Sequence, residues 1–184
     1  LFAGLVALAA PAHAVLRVDI NAGISAPMPI AVPYFVTSAE VSTPAGGTTV
    51  LGQQVSDVIQ NDLASSGLFR PLPRTAYTTN VVYGDIVAPK FPSWRTVAVQ
   101  GLVTGSVTAN ADGTVTVGCY LYDVFSEEEL ARQGFNVAPA NWRRAAHKCA
   151  DLVYARLTGE TGYFDSRVVY VSETGSQTRR IKRL

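Results

Sequence analysis

The chain has 184 residues, a formal net charge of +1, 48% apolar and 16% charged residues, which favours one domain with a core large enough to fold unaided. Near-neutral charge removes any global electrostatic case for nucleic acid or an acidic surface. With two histidines and two cysteines, few residues are left for a histidine-rich metal centre or a histidine-based mechanism.

Residues 1–10, LFAGLVALAA, carry no charge and are followed by Pro11 and the triplet Ala12-His13-Ala14. A short apolar run, a breaker and small residues at positions −3 and −1 form a secretory signal, with cleavage expected between Ala14 and Val15. A bilayer span needs about 20 apolar residues, so this run is too short to cross one. The basic n-region and the initiator Met are missing, so residue 1 is read as a truncation and 1–14 as a signal remnant. The mature chain is expected to be exported and not membrane-spanning.

In residues 15–20 the apolar Leu16, Val18 and Ile20 alternate with Arg17 and Asp19, the period of a strand. Asn21-Ala22-Gly23 breaks it. A second strand is expected over 30–36, with Pro33 pointing to an edge position or a bulge. Residues 38–49 have loop composition, and Thr48 or Thr49 can cap a helix. Leu51, Val55, Val58, Ile59 and Leu63 mark one helical face, and Gly67 supplies a left-handed stop. A short extended piece, 68–72, leads into a weakly patterned stretch, 73–92, expected to be mostly loop.

Two alternating runs, 97–109 and 114–125, flank Asn110-Ala111-Asp112-Gly113 and form a β-hairpin. That turn lacks the spaced oxygen ligands of a calcium loop. Residues 126–129 form a second turn and 130–137 a third strand. Asn141 is expected to cap a second helix with an apolar face of Trp142, Ala145, Ala146, Cys149, Leu152, Val153 and Leu157, stopped by Gly159. A last strand over 167–172, a turn at Glu173-Thr174-Gly175 and a basic end, 179–183, close the chain. The pattern is an α/β class fold, a mixed β-sheet packed by two main α-helices, followed by the opening of a further unit.

No nucleophile elbow, phosphate loop or dinucleotide fingerprint is present. His147 and Asp151 have the i, i+4 spacing of a metal pair, but no third ligand is in view, and a surface pair or a cap to a neighbouring loop is the simpler reading. Cys149 and His147 lie two apart on a helix and do not face each other. Cys119 shares a strand face with Val115, Val117 and Leu121, and Cys149 lies on the apolar helix face. Both thiols therefore point into one layer, either as a disulfide or as two separate buried thiols.

The stretches "LRVDINAG", "PIAVPYF", "VIQNDLASSGLFRPL", "VTGSVTANADGTVTVGCYLYDV" and "NWRRAAHKCADLVYARLTGETGYFDSRVVYVSETG" span nearly the whole mature chain. Together they resemble the TolB family of the Tol–Pal system. Residues 73–92 and the two cysteines stand apart from the resemblance.

The resemblance implies a signal remnant at 1–14, a partner-binding segment at 15–26, an α/β domain at 27–163 and the start of a six-bladed β-propeller at 164–184. It implies a periplasmic, monomeric, non-enzymatic protein without cofactor, serving outer-membrane integrity and its constriction during cell division. It places the binding of the TolA C-terminal domain on Val15, Leu16, Arg17, Val18, Asp19, Ile20, Asn21, Ala22, Gly23 and Ile24. It places the binding of the lipoprotein Pal on the propeller, most of which this chain lacks. On alternation alone, residues 15–20 are more simply a permanent strand of their own sheet; the resemblance reverses that order and makes them a strand that adds to a partner's edge. Two alternatives remain: an exported small-ligand-binding α/β domain with Trp94 and Tyr83 as aromatic walls, and an exported hydrolase built on His147, Asp151 or Cys149.

Overall fold

A computed structural model describes residues 16–18, 26–167, 171–174 and 181–183. The expected signal remnant with its Ala14/Val15 junction, and the positions Asp19 to Ile24 of the expected binding segment, lie outside the described residues.

The centre of the molecule is a five-stranded mixed sheet in the order β4-β1-β5-β6-β7. β1 is Met28–Ala31, β4 Phe69–Pro71, β5 Gly101–Ala109, β6 Val115–Asp123 and β7 Glu129–Val137. β1 runs parallel to both β4 and β5, and β5, β6 and β7 follow as an antiparallel meander. Two long helices, α1 (Thr48–Ser65) and α3 (Trp142–Thr158), cover one face. A short helix, α2 (Phe91–Thr96), belongs to the other.

Each face has its own core. On the α1/α3 side, alternate residues of β6 (Val115, Val117, Cys119, Leu121) meet Leu51, Val55 and Ile59 of α1 and Ala146, Cys149 and Val153 of α3. On the other side, Trp94 packs with Leu102, Tyr122 and Val124. Cys119 and Cys149 are joined as a disulfide with Cα atoms 5.9 Å apart, tying β6 to α3.

The hairpin between β5 and β6 turns on Gly113, whose φ of +81° suits glycine. Asp112 accepts the Thr114 N–H at 2.9 Å, and Asn110 donates to both the Thr114 and Thr116 hydroxyls. Gly67 (φ +72°) and Gly159 (φ +83°) follow the two long helices in the left-handed region, as the sequence leads one to expect.

Several expectations are corrected. The strand expected at 30–36 ends at Ala31, before Pro33, and it is interior, flanked by β4 and β5. Val36 forms only an isolated parallel bridge to Ser106. Neither Thr48 nor Thr49 caps α1; Gly47 holds the cap position, and Glu40 reaches in from the preceding loop. Its carboxylate accepts the Thr49 N–H at 2.9 Å and the Thr49 hydroxyl. That loop is held by two short strands, β2 (Ser42–Thr43) and β3 (Gly46–Gly47), which pair antiparallel.

The strand expected from residue 97 begins at Gly101, because 91–96 form α2, with Pro92 tolerated in its first turn. Asn141 holds the cap position of α3 as expected, but makes no side-chain hydrogen bond to the helix. Glu173 and Thr174 are not a turn: they belong to β8 (Ser172–Thr174), which pairs antiparallel with β9 (Ile181–Arg183).

Candidate partner-binding segment and its surroundings

The described part of the expected binding segment is Leu16, Arg17 and Val18. These three residues form no β-strand. They lie across the carboxyl end of α3, where the last helical carbonyls lack intrahelical partners. Val18 N–H donates to the Leu157 carbonyl at 2.8 Å, and Gly159 N–H donates to Ala155 at 2.9 Å. The turn at Gly159 thus closes the helix while leaving the Leu157 carbonyl open to the incoming segment. Leu16 and Val18 are partly buried against the main core, and Arg17 is exposed. A Cβ on Gly159 would lie 2.8 Å from the guanidinium end of the exposed Arg17 side chain, which can shift; the positive φ is what calls for glycine there.

The outer face of α3 organises the chain that follows. Asp151 accepts the backbone N–H groups of Phe164 (2.7 Å) and Asp165 (3.1 Å). Arg144 pairs with the Asp165 carboxylate at 3.1 Å, and Tyr154 meets the rings of Tyr163 and Phe164 edge-on. A shallow cleft of about 470 Å³ lies between β7 and this face, bordered by Phe135, Lys148, Leu152, Gly159 and Glu160.

The expected chemical candidates are each engaged elsewhere. His147 pairs with α1, its Nδ1 lying 2.7 Å from Oδ2 of Asp62. Asp151 is spent on the backbone of 164–165, and Cys149 is buried in its disulfide. No group of three or more His, Cys, Asp or Glu residues suited to a metal ion occurs among the described residues. No helix among them is long and apolar enough to cross a membrane.

Trp94 and Tyr83 do not line a shared pocket: Trp94 is 2% exposed inside the second core, and Tyr83 is an exposed ring. Trp94 instead backs Tyr77, with ring centroids 5.1 Å apart at 75°. Sequence reasoning missed the residues around Tyr77. Tyr77 accepts the Val32 N–H at 3.0 Å and donates to the Leu72 carbonyl at 3.1 Å, and burial pushes its hydroxyl up from the ordinary value. Arg74 Nε donates to the Val32 carbonyl at 3.1 Å, across 42 residues of sequence. No local periodicity could have announced contacts between positions so distant.

These features define a class: a mixed-sheet α/β domain with its amino-terminal segment laid on the helix layer and its exit chain fastened to α3. The family model described as the TolB amino-terminal domain matches residues 16–130, and the chain belongs to that family. The Tol-Pal system protein TolB of Rhizorhabdus wittichii is 61% identical over 180 residues, covering 98% of this chain and 41% of that protein. The Zymomonas mobilis protein of the same name is 59% identical over 170 residues, covering 92% and 37%. A crystal structure of TolB from Acinetobacter baumannii matches with a TM-score of 0.61 and 26% identity, covering 80% of this chain and 32% of that one. The chain spans about two-fifths of the length of the two curated relatives.

Proposed function

We propose that this chain is the amino-terminal part of a non-enzymatic, periplasmic component of a Tol–Pal system, and that residues 15–24 recruit the C-terminal domain of TolA by strand addition. In this reading the segment is freed by cleavage between Ala14 and Val15. It contributes ladder hydrogen bonds to an exposed sheet edge, and Leu16, Val18 and Ile20 set the register.

The observation that supports the proposal is how the described residues of the segment, Leu16, Arg17 and Val18, meet their own domain without forming a strand of its sheet. Of its described residues, Leu16 and Val18 are only partly buried, and the Val18 N–H bond to Leu157 is the backbone link to α3. In this reading the segment exchanges between docked and released positions, and a partner that binds the released form shifts the balance. The division into a binding segment (15–26), an α/β domain (27–163) and an opening propeller strand pair (164–184, containing β8 and β9) belongs to the same reading. So do Pal binding by the rest of the propeller and a role in outer-membrane integrity and constriction.

The test is a titration of the chain starting at Val15 against a TolA C-terminal domain, beside a version lacking residues 15–24. Binding that disappears with the deletion, in a protein that still unfolds cooperatively, is the expected result. Equal binding by both would move the site to the α/β domain and overturn the assignment.

A further inference from the structure

β1 and β4 are parallel neighbours, so the segments leaving them emerge side by side at the same end of the sheet. A cleft of about 460 Å³ opens between those segments. Crevices outside the carboxyl ends of parallel strands are where open α/β sheets characteristically take ligands, and this volume falls in the usual range of small-molecule pockets. Tyr34 and Val36 come from the β1 side, Arg74 and Tyr77 from the β4 side, and Val81 closes the rim.

The two aromatic walls differ. Tyr77 is fixed by its two hydroxyl hydrogen bonds and by Trp94 behind it. Tyr34 is 45% exposed and lies over the Arg74 guanidinium, with Cζ 4.1 Å from the ring centre. Arg74 is the one charged residue among those lining the cleft. Its Nε is used by the Val32 carbonyl and its Nη1 by Asp57, whereas Nη2 is buried without a hydrogen-bond partner. A buried donor with no acceptor is unfavourable, and an incoming anionic oxygen that displaces the half-exposed Tyr34 ring would satisfy it.

We propose that this cleft binds a carboxylate carried on an apolar stem, with the carboxylate on Arg74 and the stem between Tyr34 and Tyr77. The unpartnered Nη2 offers a carboxylate oxygen one charge-assisted hydrogen bond, and the other residues lining the cleft carry no charge to repel it. The same chemistry is offered by a free organic acid and by the C-terminal residue of a peptide. The site is independent of the recruitment proposed for residues 15–24, whose described residues, Leu16, Arg17 and Val18, lie at the carboxyl end of α3.

The test is a titration of the ¹⁵N-labelled chain followed by amide chemical shifts. The probes are 3-phenylpropionate, its amide, and a tetrapeptide ending in Phe with a free or an amidated C-terminus. The expected result is saturable shifts around Tyr34, Val36, Tyr77 and Val81 with the acids, and none with the amides. Response to both acids identifies a site open to free organic acids; response to the peptide acid alone identifies a chain-terminus site. Arg74→Lys keeps the charge and removes the Nη2 donor, and should weaken binding about tenfold. Tyr34→Ala, at a half-exposed ring, should weaken it without unfolding the domain. Absence of saturable shifts with either acid, or equal shifts with acid and amide, overturns the proposal.

Discussion

His147 Nδ1 lies 2.7 Å from Asp62 Oδ2, and this contact joins α3 to α1 above the main core. Burial raises the Asp62 carboxyl above its ordinary value of 3.8; the His147 hydrogen bond and charge pull it back in part, and Asp151 opposes them. An acid whose value is raised on folding contributes stability that is fully present below its unfolded-state value. That contribution is lost as pH rises through the folded-state value. Asp62→Asn removes the titration while keeping a hydrogen-bonding side chain. Relative to the parent, the variant should therefore gain stability in urea unfolding as pH rises from the ordinary carboxyl range through the raised folded-state value. A relative loss over that range would show that the ion pair outweighs desolvation.

Glu40 titrates with the opposite sign. The Thr49 hydroxyl and backbone N–H hold its carboxyl below the ordinary value of 4.5. Its contribution is present above the unfolded-state value and disappears as pH falls through the lower folded-state value. Glu40→Gln should lower the melting temperature at neutral pH, and the two proteins should converge in acid. A difference that persists at about pH 2.5 would assign the effect to something other than the carboxylate charge.

The disulfide closes a loop with a sequence separation of 30. Loop-closure entropy for that length is about 3.5 kcal/mol. Replacing Cys119 and Cys149 together by Ala, or reducing the parent, should lower the unfolding free energy by about this amount. The double variant should be indifferent to reductant in the same urea titration. A parent equally indifferent to reductant would contradict the bond.

Phe35 sits between two glycines. A Cβ on Gly52 would overlap the Phe35 carbonyl, and one on Gly105 would overlap both the Phe35 ring and the Gly118 carbonyl. Ser56 completes the clamp, accepting the Phe35 N–H and donating to the Gly52 carbonyl, both at 2.8 Å. Gly52→Ala and Gly105→Ala should each cost about 1–3 kcal/mol or more by overpacking. Gly84→Ala, where nothing lies within 4 Å, should be neutral or slightly stabilising in the same thermal melts.

The two long helices were legible because each carries its own stripe and its own stop. The 3.6-residue spacing through Leu51, Val55, Ile59 and Leu63 ends at Gly67, and the stripe through Ala145, Cys149 and Val153 ends at Gly159. The hairpin was legible for the same local reason: alternation on both sides of Asn110-Ala111-Asp112-Gly113. The six-residue α2 was not, being too short to display a period and carrying Pro92 in its first turn. Glu40 was missed as the group that serves the start of α1 because it lies nine residues before the Thr49 N–H it accepts.

The sequence by itself therefore determined the α/β class, the two principal helices, the meander and the face on which each cysteine lies. These depend on residues within a few positions of one another. Only the tertiary structure decided that β1 is interior, that Cys119 meets Cys149, that His147 finds Asp62, and that Arg74 and Tyr77 return to the end of β1. It also decided that Leu16 and Val18 lie on α3 with Val18 bonded to Leu157. Those outcomes depend on which surfaces pack together across about 30 to 140 residues of chain, and no local period encodes the partner of a group so far away.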